Sequence, residues 1–261
     1  MAPEPTQARA VTNTEHPHEA AWDDSALVDV RRGYRSDSGA GRARGGDREV
    51  GVGSRWHDAA VSSGEATPDP VLASVGAYSA GVDEYEAAYA SKFAGIVARF
   101  AASLPTPSLI LDVGCGPGRD LERFTVHGHV VRGVELNPEF VARACRHAPT
   151  TYCDVRDVAA HFPSGFFDGI WASAALVHLP TVDMHDVLGQ LGVLLRPAGK
   201  LFVSVRSSGE TGWLDEPDGR RWYRVWAADA LAEAVTAAGF TVDELTPGQY
   251  TELWATRDQD D

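Results

Sequence analysis

The sequence predicts an α/β domain in which helices cover both faces of a parallel β-sheet. Short apolar, β-branched runs alternate with helical segments about six times after Pro105. The runs are almost continuously apolar, which is typical of strands that are buried on both faces. The intervals between them are long enough for crossover helices, and right-handed crossovers make the predicted sheet doubly wound.

The predicted elements begin with a helix. Aromatic and aliphatic residues recur every three or four positions between Val82 and Leu104, which predicts one amphipathic helix that ends near Pro105. Strands are predicted at residues 108–113, 129–136, 150–155, 166–173, 199–205, 241–245 and 250–256. Helices are predicted between them at residues 119–126, 137–147, 184–195 and 230–240. Open sheets of this kind bind ligands beyond the carboxyl ends of their strands, so we expect the functional residues in those loops.

The first 70 residues differ from the rest of the chain. From Arg31 to Gly64, glycine, serine and scattered charges leave no apolar periodicity of two or of 3.6 residues. Such a stretch buries too little surface to offset the entropy that it would lose on ordering. We therefore predict a flexible extension over residues 1–70 and a folded domain over residues 71–261.

Charge argues against two classes of partner. The chain of 261 residues has a formal net charge of −14, which disfavours non-specific attraction to nucleic acid and to anionic membranes. Arg42, Arg44 and Arg48 could form a basic arm, but nearby acidic residues interrupt it, so a flexible tail is the favoured interpretation. The sequence predicts neither a nucleic-acid partner nor a membrane partner.

Cysteine usage and targeting signals predict a reducing compartment. The three cysteines contain no C-x-x-C pair, which argues against a disulfide framework and against a zinc knuckle. The histidines also lack ligand-like spacing, so no metal site is predicted. Neither a signal peptide nor a membrane-spanning apolar run is recognisable, which predicts a cytoplasmic protein.

The most informative segment joins the first predicted strand to the helix after it. This turn contains Gly114, Gly116 and Gly118. Glycine lets the backbone approach a ligand closely, and a helix N-terminus offers free N–H groups. We therefore expect a polar or anionic ligand at the turn. A dinucleotide fingerprint G-x-G-x-x-G would need a glycine where the chain has Arg119, so the pattern is G-x-G-x-G instead.

An acidic residue ends the second predicted strand. Glu135 lies about 20 residues beyond Gly114. A carboxylate there can accept hydrogen bonds from both hydroxyls of a ribose, an arrangement that also suits NAD. Glu135 therefore predicts a nucleoside ligand without choosing which one.

These segments resemble the class I S-adenosylmethionine-dependent methyltransferases, with Asp112 placed before the G-x-G-x-G loop as in the first motif of that family. The resemblance extends over roughly residues 76 to 256. It implies a three-layer, Rossmann-like sandwich with a seven-stranded, mostly parallel sheet and an antiparallel last strand. It also implies these contacts with S-adenosylmethionine: Asp112, Gly114, Cys115, Gly116, Gly118, Arg119, Glu135, Leu136, Asp154, Val155 and Ala172.

The resemblance also implies roles for several of these residues. Asp112 is similar to the acidic residue that helps to accept the methionyl ammonium group. Leu136 matches a position that lies against the adenine. Asp154 and the N–H of Val155 match the positions that recognise the adenine amino group and ring nitrogen. Asp154 could equally begin a short helical turn as its N-cap, and both roles could hold together.

The loop after the fourth predicted strand is similar to the family loop that faces both the sulfonium and the methyl acceptor. His178 is the candidate general base there, because a neutral imidazole can take a proton from a hydroxyl or ammonium group. Loop packing, or a hydrogen bond to the carboxyl region of the donor, is the alternative. Methyl transfer from a sulfonium often needs only alignment and prior deprotonation.

Residues outside these motifs are candidates for contacts with the acceptor. In this fold the segment after the fifth strand can fold over the acceptor pocket, and here it is rich in aromatic and charged residues. The candidate substrate-binding residues are Tyr85, Glu210, Trp213, Arg221 and Tyr223. Packing in the core is the alternative for the tyrosines.

The resemblance implies transfer of a methyl group from S-adenosylmethionine to an oxygen, nitrogen or sulfur atom of a small molecule, by a monomer or a homodimer. Binding of S-adenosylmethionine for another chemistry or for sensing stays open. An NAD-dependent oxidoreductase is disfavoured by Arg119 and by the lack of a Tyr-x-x-x-Lys pair. A catalytically silent interaction module is disfavoured because none of the donor motifs is missing.

Overall fold

The computed structural model describes residues 68–217 and 219–259. Almost all of the predicted N-terminal extension lies outside the described residues. The helices are α1 (Pro70–Ala77), α2 (Val82–Tyr89), α3 (Ala94–Ala102), α4 (Arg119–Val126), α5 (Pro138–Ala144), α6 (Thr181–Leu194) and α7 (Ala228–Ala237). The strands are β1 (Leu109–Val113), β2 (Val130–Glu135), β3 (Thr150–Tyr152), β4 (Phe167–Ser173), β5 (Leu195–Arg206), β6 (Gly212–Glu216), β7 (Gly219–Tyr223), β8 (Phe240–Thr246) and β9 (Tyr250–Arg257). Short 3₁₀ turns lie at Tyr78–Ala80, Val155–His161 and Leu176–His178.

Seven strands form one sheet in the order β3-β2-β1-β4-β5-β9-β8. The pairs that join β3, β2, β1, β4 and β5 are parallel. The last strand, β9, runs antiparallel to both of its neighbours, β5 and β8. The predicted fold class is confirmed. The strand order reverses beside β1, which is where an open α/β sheet binds its ligands.

The sheet has an apolar layer on each face because its side chains alternate between the two faces. Ile110 and Trp171 belong to one layer with α3 and α4. Leu111 and Ile170 belong to the other layer with α6 and α7. Stacked aromatic rings hold the first layer together: Trp171 lies 4.1 Å, between ring centroids, from Phe202 on the adjacent strand.

The helix predicted between Val82 and Leu104 is two helices in the structure. The helix is interrupted between α2 and α3 because Phe93 adopts the left-handed backbone conformation, with φ of 66°. Beyond the break, Val97 and Phe100 enter the core, whereas Tyr85 before it lies at the ligand end of the sheet. The regularly spaced apolar residues of this segment therefore face two different places: those of α3 face the core, and Tyr85 of α2 faces the cleft.

The segment after β5 forms a hairpin of β6 and β7, outside the seven-stranded sheet. It is tied to α1, since the Trp222 N–H donates a hydrogen bond to the buried Ser74 hydroxyl over 2.8 Å. Gly219 also lies against this helix, because a Cβ there would be 2.9 Å from that of Ala77. The hairpin thus holds α1 in place.

Among the described residues, no helix is long and apolar enough to cross a membrane.

Two glycine variants test the packing of the sheet. A Cβ at Gly133, on β2, would lie 2.8 Å from Cys115 Sγ and 2.9 Å from Thr150 Oγ1. We expect Gly133→Ala to lower the free energy of unfolding by about 1–3 kcal/mol, because short side chains held by a sheet cannot move aside. Urea denaturation measures the change.

Gly189→Ala is the matched control, because that position is inside α6 and a Cβ would meet no atom within 4 Å. We expect it to stabilise the protein by about 0.8–1.0 kcal/mol through helix propensity. Equal effects of the two variants would contradict the packing at Gly133.

Candidate functional site

Two adjoining clefts open at the carboxyl end of the sheet. The space along them, open solvent included, is about 710 Å³ and about 730 Å³. Tyr85, Gly114 and Gly116 border both clefts. The predicted site residues that border at least one cleft are Tyr85, Asp112, Gly114, Cys115, Gly116, Arg119, Glu135, Leu136, Asp154, Val155 and His178. Residues that are far apart in the sequence therefore meet at the edge that the strand order predicts.

The N-terminal helices supply one wall of the first cleft. Val71 and Val75 from α1 border it, together with Tyr78 and Tyr85. The sequence analysis did not single out the two valines. A signal existed, because Val71, Val75 and Tyr78 recur at helical spacing directly after Asp69, which caps the helix.

The loop after β1 needs glycine because its backbone has positive φ angles and because neighbouring residues leave no room for a side chain at two of its positions. All three of its glycines have positive φ, at 60°, 56° and 97°. A Cβ on Gly114 would lie 2.7 Å from Ala175 Cβ, and one on Gly118 would lie 2.8 Å from Ala144 Cα. Gly118 therefore allows α4 to pack on α5 and does not border a cleft. A Cβ on Gly116 would meet only the Tyr85 ring, at 3.9 Å, so space remains beside this glycine.

Asp112 places a buried carboxylate at the end of β1. It is 3% exposed, and its Oδ2 has no hydrogen-bond partner among residues 68–217 and 219–259. Burial raises the pKa of the Asp112 carboxyl well above its usual value, the charge of Asp120 raises it further, and Arg119 opposes the rise. A cationic ligand group beside Oδ2 would satisfy this carboxylate.

Arg119 is fixed beside the second cleft. Its guanidinium donates two hydrogen bonds to Asp120, over 2.8 Å and 2.6 Å. Asp120 also accepts from Trp171 Nε1 and from Arg123. The guanidinium carbon of Arg119 lies 5.1 Å from the centre of the Phe93 ring. The residue that breaks the glycine fingerprint is therefore held rigidly by the fold.

Glu135 holds the glycine loop to the end of β2. Its Oε2 accepts from the Gly116 N–H at 2.9 Å, and its Oε1 accepts from Leu136 and Asn137, each at 2.8 Å. Burial raises the pKa of Glu135, and these backbone hydrogen bonds oppose the rise. A carboxylate has about four lone-pair sites. One lone-pair site on Oε2 is therefore left for a ligand hydroxyl. To accept from a second hydroxyl, Glu135 would have to lose one of its three hydrogen bonds from backbone N–H groups.

Asp154 combines a cleft position with a structural role. Its side chain accepts from the Arg156 N–H at 3.0 Å and so caps the 3₁₀ turn. The Arg156 guanidinium also pairs with it, at 2.6 Å for the shortest contact, and donates to Asp69 at 2.8 Å. The carboxylate beside the first cleft is therefore linked through Arg156 to the start of α1.

His178 is buried and uses both ring nitrogens. Nδ1 lies 2.6 Å from the Trp222 carbonyl oxygen, and Nε2 lies 3.1 Å from Tyr78 Oη. A carbonyl oxygen only accepts hydrogen bonds, so Nδ1 carries the proton and Nε2 accepts from the Tyr78 hydroxyl. Burial lowers the pKa of His178 to about 4, and the charge of Arg221 contributes to the decrease.

The predicted acceptor contacts separate into three groups. Tyr85 borders both clefts. Arg221 and Tyr223 lie behind the cleft wall: the Arg221 guanidinium carbon is 3.8 Å from the centre of the Tyr78 ring, and the Tyr223 ring is 4.8 Å from that of His178. Glu210 is exposed and Trp213 is on the hairpin, and neither borders a cleft.

Ala172 of β4, a predicted contact with the donor, is buried and borders neither cleft.

No group of three or more His, Cys, Asp or Glu side chains in the described part of the chain could hold a metal ion.

Comparison with known proteins assigns a family. A family model described as "Methyltransferase domain" matches residues 85–245. Trans-aconitate 2-methyltransferase of Methylobacterium nodulans is 28% identical over 181 residues, which are 66% of this chain and 67% of that protein. Ubiquinone biosynthesis O-methyltransferase of Xanthomonas axonopodis pv. citri is 34% identical over 107 residues, which are 38% of this chain and 44% of that protein.

A solved structure is similar over a larger share of its own length. It is that of Burkholderia thailandensis 1,6-didemethyltoxoflavin-N1-methyltransferase with bound 1,6-didemethyltoxoflavin and S-adenosylhomocysteine. The two chains are 28% identical, with a TM-score of 0.60, and the match covers 76% of this chain and 94% of that one.

The environment of His178 predicts an acid-sensitive stability. The pKa is about 4 in the folded protein and about 6.5 in an unfolded chain. Between these values the unfolded state binds more protons, so stability is lost as the pH falls from about 6.5 to about 4, by up to about 3 kcal/mol. Chemical denaturation over this pH range measures the loss.

The His178→Gln variant is the control for this prediction, because all other titrating groups stay the same. We expect the variant to lose less stability than the parent protein over the same pH range. Parallel curves would show that His178 is not buried in its neutral form.

Proposed function

The chain belongs to the class I S-adenosylmethionine-dependent methyltransferases, and we propose that it methylates an oxygen, nitrogen or sulfur atom of a small molecule. One observation carries the proposal: the buried Asp112 carboxylate has an oxygen without a described partner beside a glycine loop that leaves space for a ligand. S-adenosylmethionine combines an ammonium group with a nucleoside, and the two clefts offer a place for each.

The residues of the clefts fit this donor. Asp112 and the glycine loop would hold the methionyl end, with Oδ2 of Asp112 accepting from the ammonium group. The free site on Glu135 Oε2 would accept from a ribose hydroxyl. Leu136, Asp154 and Val155, which border the first cleft, would surround the adenine. The bound donor supplies a methyl group on a positively charged sulfur.

The remaining residues align the acceptor and exclude water. Val71, Val75, Tyr78 and Tyr85 cover the cleft from the N-terminal side. Such enclosure fixes the reacting atoms in one orientation, which can remove about 7–11 kcal/mol of the barrier to a reaction between two molecules. Displacement at a methyl group needs this alignment, because the nucleophile must approach opposite the leaving sulfur.

The acceptor itself is a proposal by analogy. By their names, two of the relatives methylate trans-aconitate and 1,6-didemethyltoxoflavin, and the third methylates an intermediate of ubiquinone biosynthesis. All are small molecules, and the aromatic wall formed by Tyr78, Tyr85 and Phe140 suits an acceptor of that size. We propose that Tyr85 contacts it directly, whereas Arg221 and Tyr223 act through Tyr78 and His178.

We also propose that the protein works as a monomer or a homodimer in the cytoplasm, with neither nucleic acid nor membrane as partner. One observation supports the compartment: Cys115, Cys145 and Cys153 are free thiols, as expected in a reducing environment.

Ligand binding tests the proposal. We expect micromolar affinity for S-adenosylhomocysteine in titration calorimetry and no binding of NADH. Incubation with S-adenosylmethionine and a small-molecule extract of the source cells should yield a product that is heavier by one methylene in mass spectrometry. Binding of NADH alone would contradict the proposal. Tight binding of S-adenosylhomocysteine without any methylated product would favour sensing or another chemistry.

The Asp112→Asn variant separates stability from ligand binding. We expect the ligand-free variant to be more stable by about 1 kcal/mol, equivalent to about 2–4 °C in Tm, because a buried charge is removed. Its affinity for S-adenosylhomocysteine should fall by about 1.5–3 kcal/mol, because the bond to the ammonium loses its charge. Calorimetry and thermal melting measure the two changes. Unchanged affinity would remove Asp112 from the site.

A further inference from the structure

A series of hydrogen bonds leads from the hairpin to the wall of the first cleft. The Trp222 carbonyl accepts from His178 Nδ1, and His178 Nε2 accepts from Tyr78 Oη. Tyr78 and His178 both border the cleft, next to the loop that follows β4.

The partners in this series leave Tyr78 as the group that a ligand can use. Nδ1 of His178 must donate to a carbonyl, so Nε2 has only its lone pair, and that lone pair takes the Tyr78 proton. The Tyr78 proton is therefore committed to His178. The lone pairs of Oη are left over. Tyr78 thus offers a ligand an acceptor and no donor.

We propose that Tyr78 is the catalytic residue that contacts the nucleophilic atom of the methyl acceptor, that His178 is a positioning residue behind it, and that this atom carries a proton. An alcohol, a phenol or a ring N–H meets this requirement. A carboxylate does not, because its oxygens would face the lone pair of Tyr78. The inference rests on the proposed function and narrows the class of acceptor.

The proton and the electrons balance in the proposed step. The nucleophilic atom forms a bond to the methyl carbon as the methyl–sulfur bond breaks, and the electron pair of that bond stays on sulfur. The proton of the nucleophile passes to Tyr78 Oη while the Tyr78 proton passes to His178 Nε2. One positive charge is present before and after: the sulfonium loses it and the imidazole gains it.

The surroundings of His178 determine when the proton moves. Arg221 places a guanidinium over the Tyr78 ring, 3.8 Å from its centre. Among the described residues, the groups in contact with the imidazole or acting on its charge are Tyr78, Tyr223, Arg221 and the Trp222 carbonyl, and none of these is a carboxylate. Glu135 and Asp154 border the same cleft. Imidazolium is therefore disfavoured while the sulfonium charge is present. The proton leaves only as methylation makes the nucleophile strongly acidic, so Tyr78 first orients the acceptor and then removes its proton.

Three acceptor probes of different chemistry test the inference: catechol for a phenol, 1,6-didemethyltoxoflavin for a ring nitrogen and trans-aconitate for a carboxylate. We expect methyl transfer from labelled S-adenosylmethionine to the first or second probe and none to the third. Tyr78→Phe should lower kcat about 100-fold while the Kd of S-adenosylhomocysteine stays within twofold. Tyr152→Phe is the control, since Tyr152 is 59% exposed on β3. Transfer to trans-aconitate alone, or a Tyr78→Phe protein with the parental kcat, would overturn the inference.

A double-mutant cycle separates the positioning role of His178 from a structural one. His178→Gln should lower kcat without changing the KM for S-adenosylmethionine. Adding it to Tyr78→Phe should cause little further loss, because both changes interrupt one proton path. Independent, multiplying losses would overturn the link between the two residues.

Nitrogen NMR of protein labelled at its histidine rings shows which nitrogen of His178 carries the proton, and this measurement does not require catalytic turnover. With S-adenosylhomocysteine bound, His178 should carry its proton on Nδ1, and the Nε2 resonance should shift in Tyr78→Phe but not in Tyr152→Phe. A proton on Nε2 would overturn the inference. Failure of the parent protein to bind S-adenosylhomocysteine would instead contradict the proposed function, so the two failures are distinguishable.

Discussion

The site depends on the glycine loop after β1, whose backbone lies so close to neighbouring residues that a side chain would not fit at Gly114 or Gly118. Gly114 packs against Ala175, from the loop after β4, and Gly118 packs against Ala144 of α5. These two contacts bring the ends of β1, β2 and β4 to one place. Glu135 then fixes the loop by accepting from the Gly116 N–H. The polar groups at the clefts keep their positions because this framework is rigid.

A second set of contacts ties the covering helices to the residues below them. Asn137 donates from Nδ2 to the Val75 carbonyl and to the Ser79 hydroxyl, while Arg156 joins Asp69 to Asp154. Residues at the ends of β2 and β3 therefore hold the wall that α1 forms over the first cleft. Asp154 borders that cleft and pairs with Arg156, which also holds Asp69, so a short series of ion pairs links the cleft to the start of α1.

Local signals predicted the sheet, the glycine loop and Glu135, because each depends on neighbouring residues. The break at Phe93 escaped prediction, since apolar spacing continues across it and only tertiary packing separates the two halves. The hairpin was expected as an irregular segment over the pocket, and its attachment to Ser74 depends on a hydrogen bond between residues 148 positions apart. For the same reason the sequence identified His178 but not its bond to Tyr78, and it missed the pairing of Asp154 with Arg156.

The hairpin of β6 and β7 lies outside the seven-stranded sheet, yet it carries the carbonyl that sets the tautomer of His178. Insertions or exchanges in this hairpin would leave the register of every strand in the main sheet unchanged. A change in this hairpin would therefore act on the protonation pattern of His178 and Tyr78 while Asp112, Glu135 and Asp154 stay in place at the ends of β1, β2 and β3.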